Sequence, residues 1–212
     1  MAQKKTIAII GATSKRGSAI AKNLAKGNHR LLLMSENADE LSALSNELLA
    51  SNAEVEAISC AKDACWEADI IIVATPYETE KEVAEKIKDV AIGKIVISIS
   101  NPVDHNYEHL FPSPNNSAAE ELQHLLPYSK VVKTFNTAFI ENFAPPVTET
   151  KTADTFIAGN NSDAIEAVSE LVKSAGFNPF VVGDLSMSRA LERIQLLIAK
   201  KSLKNNFNWF VN

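Results

Sequence analysis

Apolar and polar positions fall into blocks along this chain, and the blocks switch period. Residues 4–10, KKTIAII, end in a short unbroken apolar run, the mark of a strand covered on both faces. Residues 15–24 carry helical spacing that ends near Gly27. RLLLM (30–34) predicts a second strand, 38–49 a helix rich in Leu and Ala, and 55–58 a weak third strand. ADIIIVAT (68–75) is the clearest strand, followed by a helical stretch at 80–90 and another strand at KIVISIS (94–100). This alternation predicts an α/β fold of the Rossmann type: a doubly wound, mostly parallel sheet with helices on both faces.

The second half is less regular. Residues 101–117 hold three prolines among Asn and Ser and read as a long loop. Residues 117–126 open on a capping pattern, Ser117 followed three residues later by Glu120. KVVKTF (130–135) predicts a strand, 142–154 a loop, TFIAGN (155–160) a strand, 162–175 a helix and PFVVG (179–183) a final strand. Residues 185–204 predict one long helix, capped by Ser186 or Asp184, with Leu191, Ile194, Leu197 and Ile198 on one stripe. That stripe covers the sheet or pairs with a second copy. With no repeat and no linker in view, 1–212 reads as a single domain. Residues 1–103 are its dinucleotide-binding core, and 104–212 an extension that completes a substrate cleft.

Composition narrows the function. The 212 residues are 46% hydrophobic with 7 glycines and 8 prolines, which suits a packed core and excludes a low-complexity chain. A net charge of -5 argues against nucleic acid as partner, since phosphate binding wants a clustered basic surface. Apolar runs fall short of the roughly 20 residues that span a bilayer. The N-terminal apolar stretch is too short for a signal segment and leads straight into a glycine turn. Cys60 and Cys65 read as free thiols of a reducing, cytoplasmic compartment. His105, His109 and His124 suggest zinc by spacing, but Asn106 and the nearby prolines argue against a helix there, so no metal is expected. Phe207, Trp209 and Phe210 read as a packed tail, and Lys200, Lys201 and Lys204 as a solvated helix face.

The chemistry centres on the first turn: Gly11, Ala12, Thr13, Ser14, Lys15, Arg16 and Gly17. It follows a strand and opens a helix, the setting in which backbone amides and a helix N-terminus hold a pyrophosphate. The glycine fingerprint is partial, with Ala12 and Ser14 where glycines usually stand, while Gly17 permits close helix–strand packing. The second strand ends at Ser35, Glu36 and Asn37, where a Rossmann unit meets the adenosine ribose. Glu36, with Asp39 and Glu40 nearby, favours NAD, whereas Lys15 and Arg16 offer charge to the 2′-phosphate of NADP. The residues leave that choice open.

Several stretches together resemble the NADP oxidoreductases that use a deazaflavin coenzyme, and the related cytosolic domains of six-transmembrane metalloreductases. They are IIGATSKRGSAIAKNLA, ADIIIVATPYE, KIVISISNPV, SAAEELQHLLPYSKVVKTFNT and DLSMSRALE. The likeness spans nearly the whole chain. It implies that Gly11–Gly17 hold the pyrophosphate and that Ser35 and its neighbours meet the adenosine end. Arginines commonly follow that serine in the family, where this chain has Glu36 and Asn37. Ala74, Thr75, Pro76 and Tyr77 would face the nicotinamide half, with Ser98, Asn101 and Pro102 beside them. Phe135, Asn136 and Thr137 would line the cleft where the redox co-substrate stacks. The implied activity is hydride transfer between NADP (or NAD) and a flavin or deazaflavin, by a homodimer, with no single catalytic side chain. A catalytically silent dinucleotide sensor and a reductase of small imines or keto acids are the alternatives.

Overall fold

The computed structural model describes residues 4–103, 115–137 and 153–205. Of the expected loops at 101–117 and 142–154, residues 104–114 and 142–152 lie outside them, as do His105, His109 and the aromatic tail. So do the side chains of Ile198, Lys200, Lys201 and Lys204.

Strand β1 (Lys5–Ile10) buries four consecutive side chains, Ile7 to Ile10. Ile7 and Ile9 enter one hydrophobic cluster and Ala8 and Ile10 another, on opposite faces of the sheet. That two-sided burial is why the strand reads as an unbroken apolar run rather than an alternating one. The same holds for β2 (His29–Met34), β4 (Ile70–Val73) and β5 (Ile95–Ser98). With β3 (Glu54–Ala57), β6 (Lys130–Lys133), β7 (Asp154–Gly159) and β8 (Asn178–Gly183) they form one sheet in the order β3-β2-β1-β4-β5-β6-β7-β8. Pairing is parallel from β3 through β6; β7 runs antiparallel to β6, and β8 parallel to β7. The strand order reverses between β1 and β4, which opens a crevice at their carboxyl ends. At the far edge, β8 leaves Phe180 and Val181 exposed.

The helices begin where capping chemistry starts them. Ser14 caps α1 (Lys15–Leu24), Asn37 caps α2 (Ala38–Ala50) and Asn161 caps α6 (Ser162–Ser174), each accepting from an amide three residues on. Ser117 caps α5 (Ala118–Leu125) in a capping box: its Oγ accepts from the Glu120 amide at 3.2 Å and donates to the Glu120 carboxylate at 2.7 Å.

Three helices differ from expectation. Helix α4 (Tyr77–Ile87) starts three residues before 80, because Pro76 stands at its N-cap with a φ that suits a helix entry. Helix α3 (Ala61–Glu67) was not expected; it is one short segment with no side-chain cap at Cys60. Helix α7 (Ser188–Asn205) starts after 185, because Asp184 caps a separate 3-10 turn, Leu185–Met187. Among the described residues no helix is long and apolar enough to cross a membrane, and no cluster of His, Cys, Asp and Glu is placed to hold a metal.

Candidate functional site

The glycine turn is held by contacts that a larger residue would break. Gly11 sits at φ +84°, and a Cβ there would lie 2.8 Å from the Ala74 carbonyl. At Gly17 a Cβ would lie 2.3 Å from the Gly11 oxygen, so α1 approaches the turn as closely as backbone allows. Gly17 therefore performs the packing role expected of it. The amides of Gly11 and Ala12 both donate to the Met34 carbonyl, at 2.9 and 3.0 Å. The Ser14 hydroxyl accepts from the Gly17 amide and donates to the Ala74 carbonyl at 2.9 Å. Ser14 is thus committed to joining the β1 and β4 turns, and its own amide donates to the Gly11 carbonyl at 3.0 Å. Thr13 and Ser35 share a hydroxyl–hydroxyl bond of 2.5 Å that fixes the turn to the end of β2.

Two hollows flank this turn. One of about 320 Å³ is lined by Ser14, Lys15, Arg16, Ala74, Thr75, Pro76, Ile99, Ser100, Asn101, Val103 and Gln195. It lies at the carboxyl ends of β1, β4 and β5, the crevice where open α/β sheets take ligands. The other, about 690 Å³, is lined by Ser35 and Glu36, by α2, and by residues 57–59 at the end of β3. Glu36 is exposed, and Asn37 spends its side-chain oxygen on capping α2. Together the hollows bring the turn, the end of β2 and the ends of β4 and β5 to one edge of the sheet. A separate hollow along α5 and the start of β6, lined by Gln123, Pro127 and Lys130, lies away from the turn.

Two aromatic residues sit differently from expectation. Phe135 is completely buried and meets Phe177 edge to face at 6.0 Å. Its ring belongs to the core, so it does not line an open stacking surface. It adopts φ 58°, a left-handed conformation that costs a non-glycine residue about 1 kcal/mol or more. Tyr77 turns toward α5, where its hydroxyl donates to Glu121 at 2.6 Å. Burial and that carboxylate together hold the phenol protonated well above its ordinary range. Its ring lines a cavity between α4 and α5 instead of the glycine-turn hollow.

The opposite wall is made of buried polar groups. Asn136, fully buried, donates to the Asn101 side chain at 3.0 Å, and the Asn101 amide donates back to the Asn136 carbonyl at 2.9 Å. This pair locks the ends of β5 and β6 together. Buried acceptors at this edge without a protein partner include Asn136 Oδ1, Gln195 Oε1 and Thr75 Oγ1. Buried polar groups are normally satisfied, so an unpaired set beside a crevice is the donor–acceptor character a carboxamide would meet. Pro102 is buried against this wall, Thr137 is half-buried at the end of β6, and Ser98 is buried in β5.

Behind the wall lies a charged cluster that the sequence reading did not single out. Lys133, the last residue of β6, is fully buried. Its Nζ reaches Glu192 Oε1 on α7 at 2.7 Å and the Ser100 carbonyl at 2.5 Å. The second Glu192 oxygen accepts from the Ala118 amide at 3.1 Å. Glu80, one turn into α4, is 4% exposed. Burial pushes its carboxyl up to about 7, opposed by the Lys133 ammonium and the Ser100 hydroxyl beside it. Helix α7 is tied down by Arg189, which grips Glu120 with two bonds of 2.8 and 2.6 Å. One signal could have revealed Lys133: a lysine closing the strand KVVK, whose neighbours are apolar and two-sided. Glu80, Glu192 and Gln195 carried none, because helix periodicity treats them as surface positions.

The cradle of Gly11 and Gly17, the helix N-termini of α1 and α4 and the unpaired amide and hydroxyl acceptors fit a nicotinamide dinucleotide laid along this edge. Known proteins agree with that geometry. Residues 6–102 match the family model described as NADP oxidoreductase coenzyme F420-dependent. A relative in Methanocaldococcus jannaschii, an F420-dependent NADP reductase, is 33% identical over 93% of this chain and 92% of its own length. The human metalloreductase STEAP2 is 31% identical over 64% of this chain, which covers 26% of that protein. A crystal structure of a putative F420-dependent NADP-reductase from Arthrobacter superposes with a TM-score of 0.81 at 24% identity, covering 97% of this chain and 98% of the other. On the strength of the full-length match, this chain belongs to the family of coenzyme F420-dependent NADP oxidoreductases.

Proposed function

We propose that this protein transfers hydride between NADPH and a deazaflavin of the coenzyme F420 type. The observation that carries this reading is family membership along nearly the full chain, joined to a crevice whose one wall is backbone and whose other wall is buried amide and hydroxyl. The bound nicotinamide supplies the hydride.

The chain's own residues bind and orient. The turn Gly11–Gly17 and the first turn of α1 take the pyrophosphate, with Lys15 and Arg16 at its rim. Ser35, fixed by Thr13, marks the adenosine end. Thr75, Asn101, Asn136 and Gln195 hold the carboxamide end, while Pro76, Ile99 and Val103 keep water from it. Hydride passage between two ring systems asks for proximity and orientation rather than a dedicated acid or base.

In this reading residues 1–103 form the nucleotide core and 104–212 complete the acceptor's side of the cleft. The protein works as a cytoplasmic homodimer. The free thiols of Cys60 and Cys65 suit a reducing compartment, and the exposed Phe180, Val181 and Leu197 suit burial against a second copy. A second reading, favoured by the exposed Glu36, uses NADH in place of NADPH.

The test mixes purified protein with NADPH and oxidised deazaflavin and follows the deazaflavin's visible absorbance, with NADH and with free flavin in parallel. Loss of absorbance with NADPH is expected. Nucleotide binding without turnover of either acceptor would overturn the reading in favour of a silent sensor.

A further inference from the structure

Glu80, Lys133 and Glu192 come from α4, β6 and α7, far apart in sequence, and meet directly behind the wall of the crevice. Two residues join them to that wall. Ser100 lines the crevice, gives its carbonyl to Lys133 and sets its hydroxyl beside Glu80. Gln195 lines the crevice one turn beyond Glu192 on α7. Under the function proposed above, on which this inference rests, the nicotinamide half lies against that wall.

We infer that Glu80 makes the crevice discriminate between oxidised and reduced nicotinamide according to pH. When Glu80 is ionised, the cluster holds two carboxylates against one ammonium, and the excess negative charge favours the oxidised ring, which is a cation. When Glu80 is protonated the cluster is balanced, and that preference disappears.

Geometry picks out Glu80 as the member that changes. Glu192 is held at both oxygens, by Lys133 and by the Ala118 amide. Glu80 keeps one buried oxygen without a partner, so a proton there displaces nothing. The groups that face it are the Lys133 ammonium from β6, the Ser100 hydroxyl after β5, the Glu192 carboxylate from α7 and the Glu121 carboxylate from α5. On its own helix the Tyr77 phenol is engaged with Glu121. The two carboxylates and the burial oppose ionisation, the ammonium and the hydroxyl favour it, and the balance puts the change near neutral pH.

The two nucleotides differ in charge at the nicotinamide ring alone, so their phosphates cancel in a ratio of affinities. The measurement is a fluorescence or calorimetric titration of the protein with NADP+ and, separately, NADPH, from about pH 6 to about pH 8. The preference for NADP+ over NADPH should grow on the order of tenfold across that range, as for unit charges about 10 Å apart at an effective dielectric of about 20. Glu80→Gln should hold the ratio flat at its low-pH value. Calorimetry in buffers of different ionisation enthalpy gives a second readout that needs no variant: near neutral pH, NADP+ binding should release protons and NADPH binding should not. A flat wild-type ratio with no proton release would overturn the inference while leaving the nucleotide site in place. So would a ratio that moves equally in Glu80→Gln. Failure of both nucleotides to bind at any pH would overturn the proposed function itself, and the inference with it.

Discussion

The glycine-turn wall of the crevice is shaped by backbone, whereas the wall built from β5, β6 and α7 is shaped by buried side chains. On the first wall the hydroxyls of Ser14 and Thr13 brace the turn, bonding Ala74 and Ser35. What this wall offers a ligand is the N-terminus of α1, brought this close to the turn because Gly11 and Gly17 have no Cβ. On the second wall Asn101, Asn136 and Gln195 carry the polar character, with Lys133 and Glu192 paired behind them. A backbone site must be encoded locally, by glycine and small residues in a row. A side-chain site can be gathered from anywhere, and this one spans from Glu80 to Gln195.

That difference explains what could be read from the sequence. The strands with two-sided burial, the alternation of strands with helices and the glycine turn were all legible, since each leaves a local pattern. The edge at residues 75, 98 and 135 was also legible, because strand ends follow from strand positions. The fates of Phe135 and Tyr77 were not: which way a ring turns at a strand end depends on Phe177 and Glu121, far along the chain. The charge cluster was hidden for the same reason. Helix α3 was missed because it is short and lacks a capping side chain.

The sharpest way to break the comparison is to remove one charge from behind the second wall. Lys133→Met leaves Glu192 buried without its cation, and should cost about 3–5 kcal/mol of folding stability in chemical denaturation. The double variant Lys133→Met with Glu192→Leu should recover much of that loss, because no unpaired charge remains. A mild effect of the single variant would mean that the cluster is solvated and the wall is not built as described.

On the first wall the corresponding test adds a methyl group rather than removing a charge. Gly17→Ala forces a Cβ to within 2.3 Å of a backbone oxygen, so α1 must move away from the turn. A stability loss of about 3 kcal/mol and a roughly hundredfold loss of NADPH affinity are expected, at the upper end of overpacking because backbone cannot step aside. If Gly17→Ala binds NADPH normally, the pyrophosphate does not rest on this turn.

Glu80 sharpens the comparison through pH. Its folded carboxyl titrates near 7 against 4.5 in its ordinary state. Its contribution to stability is therefore complete below about pH 4.5 and disappears as pH rises through about 7. Glu80→Gln removes the cost of ionising a buried acid, so it should stabilise the protein above neutral pH by about 3 kcal/mol. Below about pH 4.5 wild type and variant should melt together. Equal melting at every pH would mean that Glu80 is charged and well solvated in the folded chain.

The smallest effect belongs to Glu36, at the rim of the first wall's outer hollow, where solvent screens whatever the residue does. Under the proposed function its carboxylate would oppose a 2′-phosphate, while Lys15 and Arg16, lining the neighbouring hollow, would attract one. A unit charge about 4 Å from another is worth about 1 kcal/mol in water, which is roughly a fivefold change in affinity. Glu36→Gln should therefore strengthen NADPH binding about fivefold and leave NADH nearly unchanged, because NADH has no phosphate there to repel. Paired titrations of the two nucleotides against both proteins read this directly. Equal gains for NADPH and NADH would place Glu36 near the shared part of the nucleotide. A weakened NADH with NADPH unmoved would instead show the carboxylate accepting from the bare ribose, and would make this chain an NADH-preferring member of an NADP family.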